Sequence, residues 1–277
     1  MKPYLKAIFF LALLTILDLL FRKGYIGFIL PFQLPQNFTV LLLFTLFTVC
    51  SWLATRIFCK RDEIEINDLG ISFSARNRGE FFYGFLVGVG LWAIVSLIQS
   101  ISAGFSWILR PDISLYNILY GLVFIFIADL GTELYTRGYP LTRFKDNFGA
   151  NTAIIIMVFF VSLKSFSVGV ESELLFYTIL IPALHTVFFS IIYFKTKRLG
   201  ASLGIHTGAN FVTISIFDLR VEQANQAIPS GVFQPNVDLE TLSLTALQLP
   251  WVFMAIIFIV TVYFWWSRKT KNSNNQT

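Results

Sequence analysis

Apolar runs of near bilayer-spanning length, close to residues 4–21, 38–58, 82–103, 115–130, 152–168, 174–194, 199–217 and 250–266, constrain this chain more than any other feature. A helix crossing a bilayer needs roughly 17–25 predominantly apolar residues, and it must satisfy its backbone polar groups within the segment. Composition agrees: 56% of the residues are hydrophobic and 13% charged, with 31 Phe. A soluble domain carries about 25% charged residues, so a soluble enzyme, a disordered chain and a coiled coil are all disfavoured. The expected fold is all-α: a polytopic membrane bundle of about eight transmembrane helices, forming one integral membrane domain over residues 1–277. The first run holds Asp18, ends at Arg22 and Lys23 and lacks a small-residue cleavage site, so it reads as a retained helix and not as a signal peptide.

Charge placement orients the bundle. With the N-terminus in the cytoplasm, sixteen of the 21 Lys and Arg residues fall on inner segments or the span ends touching them. Only Arg22, Lys23, Arg110 and Arg220 fall outside, and Lys164 lies within a span. That asymmetry predicts an N-in, C-in protein of the cell membrane or an endomembrane, in contact with anionic lipid. No soluble basic face is visible, so no nucleic-acid partner is expected. Three stretches remain between or after the spans. Residues 60–81 read as a charged inner loop with room for a short amphipathic segment. Residues 218–249 read as a polar outer loop long enough to form a partial lid. Residues 267–277 read as a polar, disordered cytoplasmic tail. Cys50 and Cys59 make no disulfide framework or metal-ligand pattern, and neither a Gly-rich phosphate loop nor a His-Glu-x-x-His pair occurs.

Ionisable residues inside a span are functional candidates by default. Asp129, Glu133 and Arg137 recur every fourth residue, a spacing that puts all three on one helix face. They are either an ordered surface ladder or part of a site. His206 and Asn210 are likewise one turn apart, and at that depth they need partners. They form either an interhelical hydrogen bond or a binding pair. Lys164 lies within a span and is expected to pair with a carboxylate or reach a wet cavity. Asp18 is expected to pair with Arg22 one turn on, and His185, among Leu184, Val187 and Phe188, to be a satisfied packing histidine.

From Asp68 to Asn210 the chain resembles the CPBP family of intramembrane proteases, which includes the type II CAAX prenyl proteases and the bacteriocin-processing or immunity (Abi) proteins. The opening is Asp68-Leu69-Gly70-Ile71, then Tyr83-Gly84-Phe85-Leu86-Val87-Gly88-Val89-Gly90 leading into a span. The family's Glu-Glu-x-x-x-Arg signature corresponds to Thr132-Glu133-Leu134-Tyr135-Thr136-Arg137, followed by Gly138 and, a few residues on, Arg143-Phe144. Its Phe-x-x-x-His signature corresponds to Phe160-Val161-Ser162-Leu163-Lys164, and its His with an Asn one turn later to His206-Thr207-Gly208-Ala209-Asn210. The resemblance gives a CPBP/Abi-like core over residues 68–217. It implies a general-base role for the first Glu, a water- or metal-partner role for the second-motif His, and oxyanion binding by the last His and Asn.

Glu133, Arg137, His206 and Asn210 are retained, whereas Thr132 replaces the first Glu and Lys164 the second-motif His. A threonine hydroxyl does not take a proton from water near neutral pH. A protonated lysine neither accepts a proton nor ligates a metal. With only two histidines in the chain, these replacements argue against a zinc site, and no other cofactor is indicated. The expected function is that of a CPBP-type CAAX protease-like protein with a degraded site, recognising a membrane-bound peptide or protein. The alternatives are an active endopeptidase of prenylated or hydrophobic peptides with Lys164 as a substituted base, and a transporter or lipid-handling bundle. Two contacts and a cavity are expected: Glu133 near His206 across two helices, Lys164 near Asp129 or Glu133, and a polar cavity opening toward the cytoplasmic side.

Overall fold

A computed structural model describes residues 1–22, 35–72, 74–166, 172–219, 231–238 and 241–273, with the side chains of residues 22, 164–166, 172–174 and 268–273 also outside the described set. The helices are α1 (Pro3–Arg22), α2 (Gln36–Arg61), α3 (Ala75–Ala103), α4 (Leu115–Glu133), α5 (Tyr139–Phe148), α6 (Ala150–Phe166), α7 (Ser172–Thr196), α8 (Leu199–Phe211) and α9 (Leu244–Ser273). Six helical runs are long and apolar enough to cross a membrane: Pro3–Phe21, Gln36–Arg61, Ala75–Ala103, Leu115–Phe148, Leu175–Thr196 and Leu244–Ser267. The expected all-α membrane bundle is therefore the observed architecture. α6 is a shorter apolar helix, and α8 has only 13 residues.

The run Leu115–Phe148 is continuous. Between α4 and α5 the chain makes one π-helical turn, Leu134–Gly138, and a second π turn, Val212–Ile216, follows α8. The fourth span was expected to end near residue 130. It continues because Leu134, Tyr135, Tyr139, Leu141 and Phe144 are buried, so an apolar face persists where overall hydropathy falls. Two other ends also move. α3 starts at Ala75, seven residues before the expected boundary, because Ser74 caps it by accepting a hydrogen bond from the Asn77 N–H at 3.3 Å. α9 starts at Leu244 and runs to Ser273, so most of the expected tail is helical. Within the inner loop, Ile66–Leu69 forms a 3₁₀ turn closed by a Glu65–Asp68 capping box.

Two cores hold the bundle. Phe10, Phe47, Phe58, Tyr135, Tyr139 and Phe144 gather α1, α2, α4, α5 and the first π turn. Trp92, Phe188, Phe189, Ile205 and Phe258 gather α3, α7, α8 and α9. α8 is placed chiefly by α3. A Cβ on Gly204 would lie 2.1 Å from the Phe81 carbonyl oxygen, one on Gly208 2.3 Å from that of Phe85, and one on Gly88 2.3 Å from that of Ile205. The two backbones therefore touch where only glycine fits, the small-residue packing that lets helices associate in lipid. Asn77 Oδ1 accepts from the Gly200 N–H at 2.9 Å, and Arg198 grips Glu80 with both ends of its guanidinium, Nε donating at 2.7 Å. These contacts fix the start of α8. At the same end of the bundle Asp62 accepts hydrogen bonds from Lys6 and from the Tyr139 hydroxyl.

At the opposite end, Trp107–Leu109 (β1) pairs antiparallel with Phe233–Pro235 (β2), with Ile108 opposite Gln234. The Phe217 and Phe233 rings stack at 5.3 Å. This two-stranded pairing ties down part of the segment expected to be a polar outer loop.

Candidate functional site

α4 and α8 run antiparallel past each other, and each carries polar side chains one turn apart. Glu133 is fully buried, 0% exposed. Its Oε2 accepts from the Ser202 hydroxyl at 3.0 Å and its Oε1 lies 2.8 Å from His206 Nδ1. Arg137, one residue set further along and inside the π turn, brings Nη1 to 3.2 Å from the same Oε1. One turn back on α4, Asp129 Oδ1 accepts from the Asn210 amide at 2.7 Å and lies 3.6 Å from His206 Nε2. The result is a ladder in which Ser202, His206 and Asn210 climb one helix as Glu133 and Asp129 descend the other. Such charge-assisted bonds in a low-dielectric interior are stronger than neutral ones, and both carboxylates are engaged, although Asp129 Oδ2 is enclosed without a hydrogen-bond partner among the described residues.

Aromatic rings close the ladder's flank. The Phe189 ring lies 4.9 Å from the His206 ring, and the Arg137 guanidinium sits 4.8 Å from the Phe189 centroid. Arg137 also donates to the Thr136 hydroxyl at 2.7 Å. Two cavities adjoin His206. One of about 240 Å³ is lined by Thr132, Tyr135, Thr136, Arg137, Val161 and Phe189, among others. The other, about 280 Å³, lies between α3, α7, α8 and α9 and continues past Asn210 to Phe217, Leu219 and Gln248. That direction leads to the end bearing the strand pair, which the charge pattern assigns to the outside. The smaller cavity lies toward the other end of the ladder, beside Thr136 and Arg137.

The expected approach of Glu133 and His206 across two helices is present, and Arg137 and Asn210 join them. Thr132 lies apart from the ladder. Its hydroxyl donates to the Ala128 carbonyl at 3.0 Å, and the residue faces the smaller cavity. The Lys164 side chain, and with it the expected pair with Asp129 or Glu133, lies outside the described residues. So does the Arg22 side chain expected to meet Asp18, which is 3% exposed. His185 packs against the rings of Trp92 at 5.6 Å and Phe189 at 6.0 Å as expected of a core histidine. Its Nε2 is enclosed without a hydrogen-bond partner among the described residues. Two contributions were missed by the sequence reading. Ser202 belongs to the ladder, and its four-residue spacing to His206 was the available signal. Gly200, Gly204 and Gly208 hold α8 against α3, and their own four-residue spacing was the signal.

The donor set does not fit a metal ion. Both Glu133 oxygens are engaged by protein donors, one of them a guanidinium, and His206 Nδ1 is engaged with Glu133. Among the described residues no three His, Cys, Asp or Glu side chains form a metal-holding group. The ladder can hold helices in register, present a histidine and an amide at the wall of a cavity, and screen buried charge. A matching family model described as Type II CAAX prenyl endopeptidase Rce1-like covers residues 113–212, the interval from just before α4 to just past Asn210. No curated protein and no solved structure matches the chain.

Proposed function

We propose that this membrane protein, CAAX protease-like over residues 113–212, recognises a membrane-bound peptide or protein and does not cleave it efficiently. The observation that carries the reading is the position of Asp129. It stands 2.7 Å from the Asn210 amide and 3.6 Å from His206 Nε2. An oxyanion developing at those two residues would meet a carboxylate beside the donors meant to stabilise it. Electrostatic stabilisation of that kind needs donors free to face the developing charge. Thr132 adds to the argument, since its hydroxyl donates into a helix carbonyl at 3.0 Å and offers no base for water.

In this reading Glu133, Arg137, His206 and Asn210 shape and hold the recognition site, and both chain termini face the cytoplasm. The test is cleavage of a CAAX-type peptide by the purified protein in detergent. Turnover at background level is expected from the unaltered protein. Thr132→Glu combined with Lys164→His restores the two missing groups but leaves Asp129 beside Asn210 and His206, so it is expected to raise the rate by less than the roughly 10²–10⁴-fold that general acid–base assistance supplies. Robust turnover by the unaltered protein that disappears in Lys164→Ala would overturn the reading in favour of a lysine base.

A further inference from the structure

Basic side chains at the end that the charge pattern assigns to the cytoplasm fall into two groups. Lys6 is paired with Asp62, Arg76 and Arg198 with Glu80, and Arg143 with Asp146. Arg56 and Lys60, on the last turns of α2, are exposed and have no carboxylate partner among the described residues. Arg56 instead holds its guanidinium 5.4 Å from the ring centroid of Trp52, which is itself exposed.

Trp52, Arg56 and Lys60 follow one another at four-residue intervals, so they stand in a column on one face of the helix. That face points away from the bundle, since Val49, Leu53 and Ile57 beside it are apolar and exposed. α2 has 26 residues, about 39 Å at about 1.5 Å per residue, against a hydrocarbon core of roughly 30 Å. Arg56 lies about 7.5 Å before the last residue of the helix, Arg61. A helix of this length centred on the bilayer holds Arg56 at the edge of the hydrocarbon and Lys60 among the headgroups. A cation at that depth is costly without a counter-charge, and two cations one turn apart on one face repel each other. The described protein offers neither of them a carboxylate, whereas the bilayer offers phosphate.

We propose that Trp52, Arg56 and Lys60 bind the headgroup phosphate of an anionic phospholipid in the leaflet at this end of the bundle. The site lies outside the family-matched interval 113–212. The guanidinium and the ammonium flank one phosphate with charge-assisted hydrogen bonds, which also relieves their mutual repulsion. The Trp52 ring packs on the glycerol and the first acyl carbons, the depth at which interfacial tryptophans sit, and its N–H donates to an ester carbonyl. A zwitterionic lipid brings a cation of its own toward Arg56 and Lys60 and is held less tightly. A free phosphate ion would leave Trp52 and the apolar strip beside it without a partner.

Trp52 makes the test direct. The full-length protein in detergent micelles is titrated with phosphatidylglycerol carrying a nitroxide quencher on its acyl chain close to the glycerol, and Trp fluorescence is recorded. Phosphatidylcholine with the same label is the comparison. Saturable quenching is expected, about 10-fold tighter for phosphatidylglycerol. Trp52→Phe is expected to remove that saturable component. Arg56→Gln combined with Lys60→Gln is expected to bring the two lipids within about 2-fold of each other. Lys269→Gln combined with Lys271→Gln removes the same charge from the end of α9 and is expected to leave the preference intact. Thermal midpoints check that each variant is folded. Equal affinity for the two lipids in the unaltered protein, saturable quenching undiminished in Trp52→Phe, or a preference that survives without Arg56 and Lys60 would overturn the assignment. So would a preference lost equally in the Lys269, Lys271 variant, which would make the attraction a property of net charge. Displacement of the labelled lipid by inorganic phosphate as readily as by unlabelled phosphatidylglycerol would overturn the lipid in favour of a soluble anion.

Discussion

α8 shows two four-residue repeats to two neighbours, and the two work in opposite ways. Gly200, Gly204 and Gly208 meet α3 and its approach to the membrane, whereas Ser202, His206 and Asn210 meet α4. The sets are offset by two residues, about 200° around the helix, so they lie on opposing faces. One face makes contact by having no side chains, and backbone meets backbone. The other makes contact only through side chains, and every contact involves a carboxylate. With its π turn this helix runs from Leu199 to Ile216, near the lower limit of length for a span. It is held in the bundle by both devices at once: the glycine face sets its depth and rotation, and the polar face depends on that rotation to reach Glu133 and Asp129.

The comparison breaks most completely at Gly204. Gly204→Leu puts a side chain where even a Cβ would sit 2.1 Å from a backbone oxygen. Overpacking of this kind is expected to cost roughly 3 kcal/mol or more, and no monodisperse protein should elute on detergent size exclusion. Recovery of a folded protein with an unchanged thermal midpoint would mean that the glycine face does not set the position of α8.

The polar face should be less sensitive. Glu133→Gln keeps partners for Ser202 and His206 but leaves Arg137, 5% exposed, without its nearest counter-charge. Breaking a buried pair costs about 3–5 kcal/mol when one charge is stranded, and the neighbouring Asp129 places this variant at the lower end, about 3 kcal/mol. A thermal melt in detergent measures it. A neutral result would mean that the ladder is maintained by its neutral hydrogen bonds alone.

The smallest effect is expected away from α8, and it provides the control. Burial works to raise the Asp62 pKa, but the Lys6 and Tyr139 hydrogen bonds outweigh it and hold the carboxyl below its ordinary value. Because the folded value is depressed, the stabilisation is complete above the unfolded value of about 3.9 and is lost as pH falls through the folded one. For a pair whose lysine is 20% exposed, the contribution is expected to be about 1 kcal/mol or less. Thermal midpoints measured between pH 6 and pH 3 should fall less in Asp62→Asn than in the unaltered protein. Identical profiles would show that this end of the bundle carries no pH-dependent anchor.

Much of this arrangement was legible in the sequence as spacing, and little of it as pairing. The four-residue period of Asp129, Glu133 and Arg137, and that of His206 and Asn210, identified the faces that meet, because helical periodicity is local. Which oxygen meets which nitrogen is a contact between residues some eighty positions apart, as with Asn210 and Asp129, and spacing alone does not reveal it. Helix ends were displaced for a related reason. Hydropathy registers apolar content, so it skipped the polar first turn of α3 with Arg76, Asn77 and Arg78. It also missed the amphipathic α5, whose buried Tyr139, Leu141 and Phe144 alternate with charge. The glycine face was present as a repeat, but a missing side chain leaves no mark in a reading built on polar and charged residues.

The π turn after Glu133 also takes up slack. Leu115–Phe148 is one uninterrupted helical run, and Leu134–Gly138 fits about one residue more into a turn than ordinary winding does. The surplus is absorbed within the turn, so the helix beyond residue 138 leaves it at nearly the azimuth an unbulged helix would have. The Tyr139 hydroxyl reaches Asp62 on one side of the turn while Glu133 holds His206 on the other. A length change in this run can thus be buffered at five residues without disturbing either the buried carboxylates or the anchoring of the first helix.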